Sequence, residues 1–233
     1  MADLQLESGR IVETVQQLLL RIDDRFPGSG LYRIGVRLLE VARETESIVE
    51  WIGKTHLWLR GLSIVGIACI VVVALAGLSS VTGVPRFTIL EFVQASEASI
   101  NLLIFLSIAV YFFWTLELKR KRSKVVHAVN RLRDMAHIID MHQLTKDPSG
   151  LAQVSRPTEH SPKRDLSAEE LDRYLDYCTE MLSLLSKLGY LYVTKFPDPE
   201  ATEAVNDLED LTTGLSRKIW QKIMILHAMK GRT

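Results

Sequence analysis

Two long apolar segments constrain this chain more than any other feature of its sequence. The first spans about residues 57–81, and beyond Arg60 it carries no charge over about 21 positions, close to the roughly 20 that a helix needs to cross the hydrocarbon layer. The second spans about residues 97–117 and is charge-free between Glu97 and Glu117. The first segment is apolar on every helical face and has no amphipathic stripe, unlike most core helices of soluble proteins. The sequence therefore predicts a two-transmembrane helical hairpin with an external loop at residues 82–96.

The distribution of basic residues predicts how this hairpin is oriented. Cytoplasmic flanks of membrane spans are enriched in Lys and Arg, and the predicted loop contains only Arg86. The basic residues flanking the spans on the other side are Lys54, Arg60, Lys119, Arg120, Lys121, Arg122 and Lys124. We expect these seven residues to fix the topology and to contact anionic lipid headgroups. Both termini are thus predicted to be cytoplasmic.

Aromatic residues and the N-terminus add to the membrane prediction. Trp58 in the first span and Tyr111 and Trp114 in the second lie near the same predicted side, where amphipathic aromatic rings favour the headgroup region. The first residues lack a basic region followed by an apolar stretch and a cleavage site, so we expect no removable signal peptide. A hairpin of this kind is typical of small bacterial inner-membrane proteins, and we predict that location.

The remaining sequence favours helices throughout, so the predicted fold class is an all-α integral membrane protein. Apolar residues recur at helical spacing, and clusters of Gly and Pro break the pattern. A capping box is expected at Ser167 and Glu170, and an N-cap at Asp198 before Pro199. The predicted regions are an N-terminal helical hairpin (1–54), the transmembrane hairpin (55–118), a cytoplasmic extension of the second span (119–145), a flexible linker (146–166) and a C-terminal helical bundle (167–233).

The last helix has an amphipathic pattern with two interpretations. The pattern groups Ile219, Trp220, Ile223 and Leu226 on one side, opposite several basic residues. This face could dock on a membrane or a protein partner, or it could pack on the preceding helix, whose apolar face is complementary. Either interpretation predicts that Trp220 is buried, against a membrane or partner in the first case and against the preceding helix in the second.

The region from His127 to His142 is the one place where metal-binding residue types accumulate. Asp134 and His137 are three positions apart, the spacing by which a carboxylate and an imidazole reach one metal in helical bundles. A closed site needs further ligands from other helices, and no second motif of this kind occurs. These two residues are therefore weak metal candidates, and no cofactor is expected.

No motif for nucleotide binding, hydrolysis or nucleophilic catalysis occurs in the sequence. The 28 basic residues balance the 28 acidic residues, which argues against a nucleic-acid partner. We therefore expect a non-enzymatic, homo-oligomeric membrane protein that acts as a scaffold, adaptor or regulatory component, with the bilayer and a further membrane or cytoplasmic protein as partners. The alternative is an oligomeric ion channel or mechanosensitive-type pore, and a weaker alternative is a metal-binding helical bundle.

Overall fold

The computed structural model describes residues 6–54, 89–148 and 166–230, with residues 159–160 and, from the first apolar segment, residues 61, 64–66, 68 and 71–72. The regular structure in this part of the chain is helical, and it contains no strand. The predicted all-α fold is thus confirmed.

Five helices have defined bounds within the described residues. They are α1 (Ser8–Arg25), α2 (Gly30–Gly53), α3 (Ile89–Leu144), α4 (Ala168–Lys195) and α5 (Pro199–Lys230). The predicted linker at 146–166 lies mostly outside the described residues.

The chain divides into two compact units. Met1–Gly53 and Lys124–Thr233 form one, here called the bundle unit, and Lys54–Ser123 form the other, here called the apolar unit. Helix α3 contributes to both, so we call its residues 89–123 the proximal half and its residues 124–144 the distal half. Helices from both ends of the sequence therefore share one unit.

The turn between α1 and α2 follows from the break that the sequence predicts at residues 26–30. Gly28 adopts a positive φ of 63°, a conformation that costs a residue with a Cβ atom more than glycine. The Ser29 hydroxyl then accepts a hydrogen bond from the Tyr32 amide at 3.1 Å, which satisfies one of the unpaired donors in the first turn of α2. Helices α1 and α2 pack against each other across this turn.

The starts of α4 and α5 carry the predicted caps. The Ser167 hydroxyl accepts from the Glu170 amide at 3.2 Å, and the Ser167 amide donates to the Glu170 carboxylate at 2.8 Å. The Asp198 carboxylate accepts from the Ala201 amide at 3.2 Å. Both predicted caps are confirmed, and α5 continues through Gly214 without a break.

Helix α4 lies at the centre of the bundle unit. It packs along α5 and also contacts α1 and α2, while the Tyr174 hydroxyl donates to the His142 carbonyl at the end of α3 at 3.4 Å. Gly189 brings α4 close to α5, because a Cβ atom there would lie 2.7 Å from Leu208 Cδ2. The buried Tyr192 hydroxyl bonds to the Thr45 hydroxyl of α2 at 3.1 Å. Each of the other helices of the bundle therefore depends on α4 for part of its packing.

The distal half of α3 presents one apolar stripe to this core. Its fully buried members are Val125, Val129, Leu132, Ala136 and Ile139, which are the residues that the helical spacing predicts. Polar residues between them remain at the surface, and Arg131 forms an ion pair with Glu44 of α2. The distal half is thus an ordinary amphipathic bundle helix.

Candidate functional site: the exposed apolar surface of α3

The proximal half of α3 exposes large apolar side chains over most of its circumference, while Leu106, Val110 and Phe113 on the remaining side are half-buried. Leu103, Ile104 and Phe105 are consecutive and therefore point in directions about 100° apart, yet all three are exposed, Phe105 at 71%. The apolar stretch has a mean hydropathy of 2.0, and none of it is buried in the structure. Within the described residues, α3 is the one helix that is long and apolar enough to cross a membrane. The predicted first span at 57–81 lies largely outside the described residues.

The hydroxyl groups of this surface are satisfied within the helix. Ser107 donates to the Leu103 carbonyl at 2.8 Å, and Thr115 donates to the Tyr111 carbonyl at 2.9 Å. Such internal bonds remove the cost of placing a hydroxyl in apolar surroundings. Asn101 differs, because its exposed carboxamide forms no hydrogen bond within the part of the chain that is described.

The basic residues that follow the apolar surface are partly engaged by the protein. The Lys121 ammonium pairs with Glu117 at 3.1 Å and donates to the Lys54 carbonyl at 3.1 Å. Lys119 lies over the Phe112 ring, with its Nζ atom 5.7 Å from the ring centroid. In the bundle unit, Lys124 lies over the Trp51 ring at 4.1 Å.

The other predicted membrane contacts have a mixed outcome. Tyr111 is exposed, and Lys54, Arg120 and Arg122 interact with other residues of the chain. Arg60, Trp58 and the Trp114 side chain lie outside the described residues. Headgroup contacts by these residues stay predictions.

Within the described residues, the predicted metal ligands are not brought together with other ligands. Asp134 and His137 both lie on the exposed side of α3. Among the described residues, no group of three or more His, Cys, Asp or Glu side chains could hold a metal ion. Nearby, the His142 ring lies against Gly30 of α2 instead.

The predicted docking face of the last helix is divided by the structure. Ile219, Ile223 and Leu226 are buried in the bundle core, whereas Trp220 is 58% exposed. Trp220 therefore does not pack in the bundle core, and its burial against a membrane or a partner stays a prediction. One helical step of 100° carries it out of the buried arc to the edge of a groove of about 410 Å³ between α4 and α5. This face is an internal packing face with Trp220 beside it.

Sequence patterns missed the role of Lys222. The helical pattern assigns it to a solvated basic face, but its ammonium donates to the Gln143 side-chain and main-chain oxygens at 2.6 and 2.9 Å and lies 3.4 Å from the Lys146 carbonyl. Desolvation lowers the pKa of Lys222 from its ordinary value. The three acceptors match the three donors of an ammonium group, so Lys222 caps the end of α3. Local spacing gives no signal for such a contact, which joins residues about 80 positions apart.

Comparisons of the chain with protein-family models, with curated proteins and with solved structures gave no match.

Proposed function

We propose that this chain is a non-enzymatic membrane protein in which a two-span hairpin anchors a cytoplasmic helical bundle. The observation that carries the proposal is the shared core of helices that precede and follow the apolar unit in sequence. Tyr192 of α4 bonds to Thr45 of α2, and Arg131 of α3 pairs with Glu44 of α2. Helices that share one core must lie on one side of a membrane. The chain between residues 53 and 124 must then cross an even number of times.

The exposed surface of α3 supports one of these crossings. A large apolar side chain is stabilised by about 1.5–3 kcal/mol when it leaves water, and the proximal half exposes many of them. The second crossing is assigned to residues 57–81, which have the required length and composition. The basic residues after Leu118 and before residue 61 favour a cytoplasmic location for the bundle, and a bacterial inner membrane is the location that we propose.

Asn101 supports self-association of the hairpins. Its carboxamide lies one turn inside the proposed span, where an unpaired amide is costly. Amide side chains in membrane helices are satisfied by bonds to neighbouring helices, and a second copy of the hairpin supplies such a neighbour. A homo-oligomeric scaffold or adaptor follows from this arrangement.

Cysteine labelling in intact cells tests the topology. In a background with Cys69 and Cys178 replaced by Ser, an impermeant maleimide should label Thr82→Cys without lysis. It should label Glu13→Cys and Glu203→Cys, in α1 and α5, only after lysis. Labelling of Glu13→Cys and Glu203→Cys from opposite sides would overturn the two-span proposal.

Mass measurement of the protein in lipid nanodiscs tests the oligomer. We expect more than one copy per disc for the natural sequence and a smaller share of oligomers for Asn101→Leu. Ser107→Ala is the matched control, because the Ser107 hydroxyl bonds within its own helix. A strictly monomeric natural protein would contradict the scaffold proposal, and ion flux in reconstituted liposomes would support a channel in its place.

A further inference from the structure

A second cleft of about 410 Å³ lies within the bundle unit, between the first half of α2 and the end of α3. It has no part in the membrane proposal. Its lining residues are Gly30, Arg33, Ile34, Val36, Arg37, Glu40, Ile138 and His142.

Two arginines of the same helix face this cleft without a counterion. Arg33 and Arg37 are four positions apart, and like charges at this spacing destabilise a helix. Neither guanidinium forms an ion pair or a hydrogen bond within the described residues. Arg21, Arg131 and Arg133 each pair with a carboxylate on another helix, whereas Arg25, Arg43 and Arg217, like Arg33 and Arg37, form no ion pair within the described residues. Arg33 and Arg37 differ from these in lining one cleft together.

The imidazole of His142 is held at the edge of the same cleft. A Cβ atom on Gly30 would lie 2.9 Å from His142 Cε1 and 3.0 Å from Nδ1, so a larger residue at position 30 would displace the ring. The ring nitrogens form no hydrogen bond within the described part of the chain. The cleft thus presents two guanidinium groups and an imidazole with free donor capacity.

The remaining lining residues set the charge and polarity of the cleft. Glu40 is the one acidic residue among them, so two arginines against one glutamate leave one net positive charge when His142 is neutral. Ile34, Val36 and Ile138 form the apolar part of the wall. Arg33, Arg37 and Glu40 are exposed, so both guanidinium groups are accessible to a ligand from solvent. An anion is therefore favoured over a neutral polar ligand.

We propose that this cleft binds a phosphate group, carried either by a soluble phosphate compound or by a phospholipid headgroup. Guanidinium groups form paired hydrogen bonds with phosphate oxygens. Two guanidinium groups carry two positive charges, so they match a dianionic phosphate better than they match a singly charged carboxylate. The volume lies within the range of small-molecule sites. The site belongs to the bundle unit and does not depend on whether α3 crosses a membrane.

Calorimetric titration of the detergent-solubilised full chain with inorganic pyrophosphate tests the proposal for a soluble ligand. We expect saturable binding that Arg33→Gln and Arg37→Gln each weaken about tenfold, as expected for the loss of a charge-assisted hydrogen bond. Arg43→Gln is the matched control, because Arg43 lies on α2 but outside the cleft. Glu40→Gln should tighten binding, since it removes the opposing carboxylate.

A second titration distinguishes the lipid source. Dihexanoyl phosphatidic acid is compared with dihexanoyl phosphatidylcholine. A headgroup site is identified if phosphatidic acid alone binds and if Arg37→Gln abolishes that binding. Unchanged thermal unfolding of the variants, followed by circular dichroism, shows that they are folded. The proposal is overturned if neither phosphate compound binds, or if Arg43→Gln weakens binding as much as Arg37→Gln does.

Discussion

The proximal and distal halves of α3 belong to one unbroken helix, yet they place their apolar side chains in opposite environments. The proximal half exposes consecutive residues such as Leu103, Ile104 and Phe105, whereas the distal half buries Val125 and Leu132 completely. The difference arises from spacing. Consecutive apolar residues cover all faces of a helix, while residues spaced by three and four positions form one stripe.

Helix formation and the surroundings of a helix are therefore set by different features of the sequence. Both halves contain good helix formers, so the backbone continues from Ile89 to Leu144. The surroundings change over residues 119–124, where basic residues separate the two patterns. Substitutions matched between the two halves can therefore test the comparison directly.

The largest expected effect concerns the same substitution in each half. Leu132→Ala should lower the free energy of unfolding of the bundle by about 2–5 kcal/mol, because it leaves a cavity in a closed core. Leu103→Ala should leave that free energy unchanged, since Leu103 is exposed. Urea denaturation of the full chain in mild detergent measures both. Equal losses in the two variants would show that the halves do not differ as described.

A charge placed on each half tests the membrane assignment. Ile104→Asp should oppose insertion by about 2.5–3.5 kcal/mol, the cost of a carboxylate near the centre of a span. Met141→Asp is the control, because Met141 is exposed on the distal half. The fraction of protein that resists alkaline extraction from membranes measures insertion. Full resistance of Ile104→Asp would argue against a span at this position.

The cap at the distal end of α3 should contribute a smaller amount. Lys222→Met keeps the length of the side chain but leaves the oxygens of Gln143 and Lys146 without their donor, and we expect a loss of about 1–2 kcal/mol in the free energy of unfolding. Lys218→Met removes an exposed charge from the same helix and should change little. Urea denaturation measures the free energy of unfolding of both variants. Equal values would show that Lys222 does not stabilise the end of α3.

The smallest expected effect is a dependence of the bundle's free energy of unfolding on acidic pH. The hydrogen bonds from Ser167 lower the pKa of Glu170 below its ordinary value of 4.5. The stabilisation of the folded state by these hydrogen bonds is therefore present above pH 4.5. It is lost as the pH falls through the lower pKa of Glu170 in the folded state. Glu170→Gln should weaken this dependence in denaturation measured across acidic pH, whereas Glu169→Gln should keep it. The stretch of α3 between Glu97 and Glu117 has no carboxylate and should not respond.

Local sequence features predicted much of the fold. The cap residues Ser167 and Asp198 and the stripe on the distal half of α3 depend on neighbours within a few positions, and such short-range relations can be read from the sequence. The central position of α4 could not be predicted in this way. Its apolar face appears narrow in the helical pattern, but Tyr174, Tyr177 and Tyr192 are also buried, because their hydroxyls reach partners on other helices.

The candidate sites show the same limit. The exposed surface of α3 follows from composition and was predicted. The position of Trp220 outside the bundle core could not be predicted, because a helical pattern assigns a face to within about one residue and cannot locate the edge of a neighbouring helix. The cleft with Arg33 and Arg37 had one local signal, the like charges at four-residue spacing. Its other side comes from His142, more than 100 residues later, and that proximity is a property of the tertiary structure alone.

The central position of α4 has a consequence for how the protein is made. Helix α2 ends at Gly53 and α4 begins at Ala168, so about 115 residues must be synthesised before α2 can pack against α4. At about 5–20 residues per second this takes on the order of 6–23 seconds. During that interval the faces of α1 and α2 that contact α4 remain uncovered, while the apolar unit emerges from the ribosome. Completion of the bundle is therefore a late event in biosynthesis, and nascent chains that stall before α4 would be targets for chaperones and proteases.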